Sequence, residues 1–410
     1  MKNIYAVSAL ALLLGATSAH AAGYQLNEFS ATGLGRAFAG AAVVGDDFSA
    51  IGFNPAGMTL AKRSGIQTGI TFTEIAAKAK SAQGTDKMDY FVPLPSLIGQ
   101  YNINNKWFVG GGVYVPYGLS TKYKHDSHVA QSAGGVRKSE LEVIDTNLSL
   151  AYKFDNGLSL GASAILRHIS GQLTSNVNAM PGGVYSDFRV KGWSQSYQLG
   201  AMYEFSENTR LGLAYRYKST QHTHGKHYIT ADDPTYAAIY EAMGLTGKFK
   251  SMSDPELPAS WVLSGYHKFA PKWGTSFTVK YVQWHRFYTF PGKTTWPVRQ
   301  NLDVDYKWKD AWTFALGQEY YMNDNWTLRA GLSWDQTPTP SNTYRTNRIP
   351  DADRLWTAAG VSYMTGNHEF DFGYAHIFMM NGRVRNDTTD LNAKYHNHSN
   401  MFAFQYQYKF

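Results

Sequence analysis

The segment Met401–Phe410, MFAFQYQYKF, decides the fold class. Its second, fourth, sixth, eighth and tenth residues are aromatic, whereas the residues between them are Met, Ala, Gln, Gln and Lys. Alternation with a period of two residues is typical of a β-strand that presents one apolar face and one polar face. The pattern therefore predicts a strand whose aromatic face contacts apolar surroundings.

The same alternation recurs through most of the chain, for example in Leu211–Lys218, Trp326–Asp335 and Glu369–Tyr374. We count roughly fourteen such segments after Gly65, most of them about 10 residues or longer, as a tilted membrane strand requires. Short turns join some neighbours, and long polar stretches separate others, as in outer-membrane barrels. A soluble sandwich would also show alternation, but Trp residues at both ends of one segment favour a membrane barrel. We predict an all-β transmembrane antiparallel β-barrel over residues 63–410.

Composition narrows the remaining classes. The chain has 410 residues, a formal charge of +7, 15% aromatic and 17% charged residues, and no Cys. The lack of Cys excludes disulfides and thiolate metal sites. Basic residues are spread along the sequence rather than collected in a stripe, so no nucleic-acid partner is expected. After the N-terminus, no apolar run reaches the length of a transmembrane helix.

Two N-terminal segments precede the strands. Residues 1–21 combine Lys2, an apolar run over 4–16 and the small-residue site Ala19-His20-Ala21, which predicts a secretory signal peptide. Ala22–Gly57, AGYQLNEFSATGLGRAFAGAAVVGDDFSAIGFNPAG, is rich in Gly and Ala and shows no alternation. Such a segment cannot build a core of its own, because its side chains are small. We predict that residues 22–62 form a hatch inside the barrel.

One strand contains an unusual number of residues that weaken a β-ladder. Trp107–Gly118, WFVGGGVYVPYG, includes Gly110, Gly111, Gly112 and Pro116. These residues predict a bulge or kink, because glycine weakens a strand and proline cannot donate a ladder hydrogen bond. The kink could simply ease closure of the barrel, or it could open a gap in the wall.

A loop near residues 236–249 has helical rather than two-residue spacing. Tyr236, Ile239, Tyr240 and Met243 share one helical face. The helix could pack on its own barrel, or its face could be an exposed apolar patch that captures a hydrophobic ligand.

Charged and titratable residues give two more hypotheses. Arg167 and Lys309 fall on lumen-facing positions, where they could be ordinary lumen charges or could bind a ligand carboxylate. The histidines of two presumed loops, at positions 222, 224, 227, 396 and 398, are interpreted as solvated rather than metal-binding. We find no G-x-S-x-G or H-E-x-x-H motif, so the chain is not expected to be an enzyme or to hold a cofactor.

Several short motifs resemble the FadL-type long-chain fatty acid transporters of Gram-negative outer membranes. They include the start Ala22–Phe29, then Gly33–Ala37 and Asn54-Pro55-Ala56, with Lys309-Asp310-Ala311 and Asn325–Arg329 later in the chain. The resemblance implies a fourteen-stranded barrel with a lumenal hatch that includes Phe29, Arg36 and Asn54–Ala56. It also implies capture of ligand between outer loops, a pocket near the hatch served by Lys309 and Arg167, and lateral exit at a kinked third strand.

These expectations describe a passive outer-membrane channel for hydrophobic molecules, acting as a monomer among outer-membrane lipid and lipopolysaccharide. Long-chain fatty acids are the expected ligands, and aromatic hydrocarbons are the alternative within the same family. A barrel enzyme and an adhesin or phage receptor are the alternatives from other classes. The sequence does not settle the identity or chain length of the ligand.

Overall fold

The computed structural model describes residues 23–43, 45–287, 289–298, 304–380, 382–385 and 391–410. The predicted signal peptide over residues 1–21 lies outside this part of the chain. Among the residues described, no helix is long and apolar enough to cross a membrane.

The strands form one closed antiparallel sheet, because the first strand pairs with the last. We number fourteen wall strands in chain order, and a strand interrupted by irregular residues keeps one number. They are β1 Gly65–Lys80, β2 Thr85–Asn102, β3 Trp107–Lys122, β4 Val136–Lys153, β5 Leu158–Asn176, β6 Val184–Ser206, β7 Thr209–Arg216 with Ser219–Thr220 and His222–Ala231, β8 Gly247–Ser253 with Glu256–Leu257 and Ser260–Ala270, β9 Trp273–Val282, β10 Ala311–Tyr321, β11 Trp326–Asp335, β12 Arg354–Thr365, β13 His368–Met379 with Gly382–Val384, and β14 Ala393–Lys409. The predicted fourteen-stranded barrel is confirmed.

Helices and short extra pairings occupy the lumen and the loops. The helices are α1 Ala31–Gly35, α2 Ala50–Phe53, α3 His128–Gln131 and α4 Pro234–Ala242, with 3₁₀ turns at Pro55–Leu60 and Trp284–Arg286. After β9, Gly292–Thr294 pairs with β8, and Thr289–Phe290 pairs with Val304–Asp305.

The alternation seen in the sequence separates the outer face of the wall from the lumen. On β14, Phe404 is 50% exposed, whereas its neighbours Ala403 and Gln405 are buried against the interior. On β11, Leu332 is exposed while Arg329 and Ser333 are buried. Apolar side chains thus face outward and polar ones inward, as a membrane barrel requires.

The two ends of the barrel differ in their connections. Short turns such as 207–208 and 366–367 lie at the end that also holds the first residue of β1 and the last of β14. Longer connections such as 232–246 and 336–353 lie at the other end. Outer-membrane barrels have short periplasmic turns and longer extracellular loops, so these are the periplasmic and extracellular ends respectively.

Candidate functional site

The N-terminal residues 23–43 and 45–60, called the hatch below, lie inside the barrel and rest directly on its wall. A Cβ atom added to Gly161 of β5 would lie 2.5 Å from the carbonyl carbon of Pro55. One added to Gly331 of β11 would lie 2.2 Å from the carbonyl carbon of Arg36. Only glycine allows backbone to approach backbone this closely, so glycines on opposite parts of the wall seat the hatch.

The Asn54-Pro55-Ala56 motif fixes one part of the hatch. The Asn54 amide donates to the carbonyl of Ala42 at 2.8 Å and to that of Ala201 on β6 at 3.1 Å. Its Oδ1 accepts the Ala56 N–H at 3.1 Å and so caps the 3₁₀ turn that follows. The motif therefore joins two hatch segments and the wall through a single side chain.

Arg36 holds the opposite side of the hatch through a buried ion cluster. Its Nη1 lies 2.9 Å from Asp46 Oδ2 and 2.9 Å from Glu319 Oε1 of β10. Arg329 of β11 reaches the same two carboxylates, at 2.6 and 3.4 Å. Two cations and two anions balance one another here, and removal of one would leave a buried charge without its partner.

The wall loses its backbone hydrogen bonds between β2 and β3 over the extracellular half. The β2–β3 ladder ends where Leu97 faces Val113, although both strands continue beyond that point. From there outward, β1 is the wall strand that pairs with β2, and β4 is the wall strand that pairs with β3. Pro93 and Pro95 lie in this part of β2, and proline is typical of strand edges because it lacks an N–H. We call this the β2–β3 break.

A β-bulge in β3 accompanies the β2–β3 break. On the β4 side, β3 gains one extra residue between Tyr114 and Tyr117, and Pro116 lies in this bulge. The Pro116 carbonyl accepts the N–H of Leu26 at 2.8 Å, and Gln25 forms an antiparallel bridge with Tyr117. Beyond the end of the β2–β3 ladder, β3 therefore pairs with the hatch.

Gly110, Gly111 and Gly112 do not form the break, which corrects the expectation from the sequence. All three pair in register with β2 and β4. A Cβ on Gly110 would lie 2.6 Å from Ile51 Cδ1, so this glycine makes room for the hatch. The sequence signal that was overlooked is the Pro93-Leu94-Pro95 segment of the neighbouring strand.

Apolar side chains fill the β2–β3 break. Val92 and Leu94 of β2, Val115 of β3, and Leu26 and Phe29 of the hatch belong to one buried hydrophobic cluster. Phe29 also stacks on the ring of Tyr114, with 4.4 Å between the centroids. The wall is thus closed at this place by side-chain packing rather than by a backbone ladder.

A cavity of about 50 Å³, called the inner cavity below, separates the hatch from the wall beside the bulge. Pro116 lines it together with the charged side chains of Arg216, Lys280 and Asp335. Arg216 is already paired, with its Nη1 3.2 Å from Asp145 Oδ2. Lys280 Nζ donates to Asn27 Oδ1 at 3.1 Å, and in the described part of the chain it has no carboxylate within ion-pair distance.

A larger cavity of about 640 Å³, called the outer chamber below, lies among the extracellular loops. Leu119, Ile169, Phe188 and Ile349 contribute to its apolar lining. Tyr24 of the hatch also lines the outer chamber, whereas the next two residues, Gln25 and Leu26, line the inner cavity. The start of the hatch therefore separates the two cavities.

Aromatic rings pack around Tyr24 at this boundary. Its ring centroid lies 4.7 Å from that of Trp284, 5.3 Å from Phe287 and 5.7 Å from Trp308. All four side chains are buried. A ligand that leaves the outer chamber for the inner cavity would have to displace part of this aromatic cluster.

Neither cation predicted from the sequence lines the inner cavity or the outer chamber. Arg167 is buried and bonded to both carboxylate oxygens of Asp145, at 2.6 and 2.8 Å, and to Ser219. Lys309 is exposed, lies two residues before β10, and is absent from the lining of both cavities. A carboxylate-binding role for Lys309 or Arg167 stays a prediction, and the geometry favours Lys280.

The predicted loop helix is present as α4, but it only partly exposes its apolar face. Tyr240 is buried against Trp296, and its hydroxyl donates to the Pro181 carbonyl at 3.1 Å. Ile239 and Met243 are exposed at 47% and 63%, and Tyr236 at 36%. None of these four residues lines the outer chamber, so ligand capture by this face stays a prediction.

One of the histidines interpreted as solvated is buried. The His227 ring lies between Ser186 Oγ at 2.7 Å and Thr294 Oγ1 at 2.9 Å, because His227 is on the inward face of β7. His222 is exposed and contacts Asp254 at 3.2 Å. Among the residues that the structure describes, no group of three or more metal-ligating side chains is found.

Glu28 is a buried carboxyl group in the hatch. Its Oε2 accepts the Asn27 N–H at 2.6 Å, and its Oε1 has no hydrogen-bond partner among the residues that the structure describes. Burial raises the pKa of Glu28 to about 7, although hydrogen bonding and the charge of Lys280 oppose the shift. The Glu28 carboxyl group therefore ionises more easily in the unfolded chain than in the folded hatch. The stability of the hatch falls as the pH rises from the ordinary pKa of a glutamate toward 7.

Replacing Glu28→Gln should stabilise the hatch at pH 8 and leave its stability almost unchanged at about pH 3.5, below the ordinary pKa of the carboxyl group. Glutamine keeps the acceptor for Asn27 and has no proton to lose. The shift in the pKa of Glu28 corresponds to an effect of about 3 kcal/mol. Amide hydrogen exchange over residues 23–43 should be slower than in wild type at pH 8 only. Equal exchange of the two proteins at pH 8 would contradict the prediction.

Two charged residues of the candidate site, Lys280 and Arg216, could have been found from alternation alone. In β9, Gly274, Ser276, Thr278 and Lys280 share one face, and the apolar residues between them share the other. This pattern places Lys280 in the lumen, just as it places Arg216 of β7. The aromatic cluster around Tyr24 had no such signal, because Trp284 and Trp308 lie between β9 and β10, outside the wall strands.

Comparison with known proteins gives a consistent result over the whole chain. The sequence profile of the family described as "Outer membrane protein transport protein (OMPP1/FadL/TodX)" matches residues 12–410. The 47 kDa outer membrane protein of Pasteurella multocida is 31% identical over 98% of this chain and 97% of its own. The long-chain fatty acid transport protein of Salmonella typhi is 30% identical over 88% of this chain and 89% of its own.

Solved structures show the same fold. A FadL homologue from Pseudomonas aeruginosa superposes with a TM-score of 0.83 at 22% identity, covering 95% of this chain and 100% of that one. The toluene transporter TodX of P. putida superposes with a TM-score of 0.71 at 19% identity, covering 93% of this chain and 99% of that one.

Proposed function

Because the chain belongs to the OMPP1/FadL/TodX family of outer membrane transport proteins, we propose that it takes up long-chain fatty acids. The family consists of transport channels and not of enzymes, and its location is the outer membrane. The name of the Salmonella typhi relative supports a fatty acid as the ligand.

The proposed route has three stages. A hydrophobic ligand enters the outer chamber, whose apolar lining favours its transfer from water. It then displaces aromatic side chains around Tyr24 and enters the inner cavity, which expands as the hatch side chains move. It leaves sideways through the β2–β3 break, where only side chains close the wall.

The position of Lys280 is the single observation that carries the fatty acid proposal. Among the residues that the structure describes, the Lys280 ammonium group has no carboxylate within ion-pair distance, although Asp335 lines the same cavity, and it lies at the inner end of an apolar path. A buried cation that lacks a direct ion pair is costly, and a ligand carboxylate within hydrogen-bonding distance would offset part of that cost. A fatty acid could place its alkyl chain against the apolar lining of the path and its carboxylate at Lys280.

An aromatic hydrocarbon is the second candidate ligand. Phe29, Phe38, Phe53 and Trp356 line the inner cavity and would suit a flat apolar ring. Such a ligand gives Lys280 no role, so the charge dependence of binding separates the two candidates.

Replacing Lys280→Met should weaken fatty acid binding by about 1.5–3 kcal/mol, the range for a hydrogen bond to a charged group. Methionine keeps an unbranched side chain and removes the charge. Binding of the methyl ester of the same fatty acid should change little. Titration calorimetry of the detergent-solubilised protein would measure both affinities.

Lys309→Met is the matched control, because this exposed lysine lines neither cavity. It should bind the fatty acid as wild type does. A large loss in Lys309→Met alone would instead support the role predicted from the sequence. Equal losses for the acid and its ester in Lys280→Met would exclude recognition of the carboxylate.

A further inference from the structure

A groove of about 840 Å³ on the outer face of the barrel carries an excess of positive charge. We call it the basic groove. Its cationic residues are Lys122, Lys138, Arg189, Lys191 and Lys226, with His224 among them. Its acidic residues are Glu140 and Glu142. Part of its lining is shared with the outer chamber, and Val92 belongs to the cluster at the β2–β3 break, but its cationic side chains are absent from the lining of both transport cavities.

The alternation of β6 shows that the basic groove faces outward. Phe188 and Val190 are buried and line the outer chamber, although Val190 also borders the basic groove, whereas Arg189 and Lys191 are exposed on the opposite face of the strand. Trp193, on the same outward face, is 59% exposed.

The same strand gives the level of the basic groove relative to the membrane. Tyr197 and Leu199 are exposed on the apolar band, and Trp193 follows them toward the extracellular end. Tryptophan is enriched at the border between hydrocarbon and headgroups. Arg189 and Lys191 lie roughly 7–13 Å further along the strand, at about 3.3 Å per residue. This distance places their charges in the headgroup region of the outer leaflet.

Like charges lie side by side in this region without enough acidic partners. Arg189 of β6 faces Lys226 of β7, which faces Lys250 of β8. Like charges directly opposite one another on neighbouring strands destabilise a sheet. Asp187 pairs with Arg189 at 2.6 Å. Lys191, Lys226 and Lys250 are all exposed. Among the residues that the structure describes, none of the three has a carboxylate within ion-pair distance.

At the end of the basic groove formed by β3 and β4, acidic residues partly neutralise the lysines. Lys122 and Lys138 both contact the carboxylate of Glu140. The excess positive charge is therefore concentrated on β6, β7 and β8, next to the apolar band that Trp193 borders.

We propose that the basic groove binds the phosphate groups of lipopolysaccharide, the glycolipid of the outer leaflet. Its phosphates lie at the headgroup level and carry negative charge, and lysine ammonium groups bind phosphate through charge-assisted hydrogen bonds. Its acyl chains would lie along the apolar face below Trp193. The proposal rests on the outer-membrane location and not on the transported ligand.

The test is binding of purified lipopolysaccharide to the detergent-solubilised full-length protein. The groove variant replaces Lys191 and Lys226 of the basic groove, and Lys250 opposite Lys226 on β8, each by Gln, and it should bind at least tenfold more weakly than wild type. Wild type should show a similar loss with lipopolysaccharide from which the lipid A phosphates have been removed. The matched control replaces three lysines at the periplasmic end, the exposed Lys62 and Lys272 and the half-buried Lys106, each by Gln, and should bind as wild type does.

Two outcomes would overturn the proposal. One is equal binding of the groove variant and the control, given that both shift on a gel when heated, as folded barrels do. The other is displacement of lipopolysaccharide by phosphatidylglycerol at equal concentration, which would indicate a general phospholipid surface. Lys280→Met should bind lipopolysaccharide normally, so failure of this proposal and failure of the fatty acid proposal are distinguishable.

Discussion

Deletion of residues 23–62 should turn a barrel with little ion conductance into an open pore. In the intact protein the hatch backbone touches glycines on opposite parts of the wall, such as Gly161 and Gly331. The inward face of the wall is polar, with buried residues such as Gln405 and Asp371, so a lumen without the hatch would fill with water. We expect single-channel recordings in planar bilayers to show steady conductance for the deletion variant and none for wild type.

A milder variant tests the same point if the deletion variant does not fold. Gly331→Leu would force a side chain into the backbone of Arg36 and should loosen the hatch, so that conductance rises intermittently. Gly99→Leu is its matched control, because a Cβ there meets nothing closer than 3.7 Å. Conductance that stays at the wild-type level in a folded deletion variant would exclude the hatch as the barrier.

The barrel could be predicted from the sequence because the pattern that specifies it lies within each strand and needs no partner elsewhere in the chain. Each strand in the membrane has one face toward hydrocarbon and one toward the lumen, so β11 and β14 show their orientation in every second residue. The hatch was predictable for the opposite reason. Its small residues and lack of alternation exclude a wall strand, although they do not give its contacts.

The site was less predictable because its charges depend on partners far away in the sequence. Arg167 faces inward as its position implies, but Asp145 on the neighbouring strand already neutralises it. Lys309 has the right parity, but it lies before the first residue of β10, where alternation no longer gives a side chain's direction. The position of the break depends on which residues of β2 and β3 face one another, and this register cannot be read from β3 alone.

Closing the β2–β3 break should abolish uptake while the barrel still folds. The bulge gives β3 one extra residue, so deletion of Pro116 should restore a regular strand in which Tyr114 and Tyr117 both keep their inward faces. Pro93→Thr and Pro95→Thr return the two N–H groups that β2 lacks. We expect the triple change to extend the β2–β3 ladder and to lower fatty acid uptake by cells at least tenfold.

The expected fall in uptake is large because the other way out of the barrel, into the periplasm, is unfavourable for a hydrophobic ligand. A ligand that cannot leave sideways must enter periplasmic water, which costs about 0.8 kcal/mol per methylene group. The matched control carries the same two threonines with Pro116→Ala, which keeps the extra residue and hence the bulge. It should transport nearly as wild type does, and both variants should shift on a gel when heated. If the variant without Pro116 folds and transports at the rate of this control, release does not occur through the break, and the ligand must instead pass the hatch.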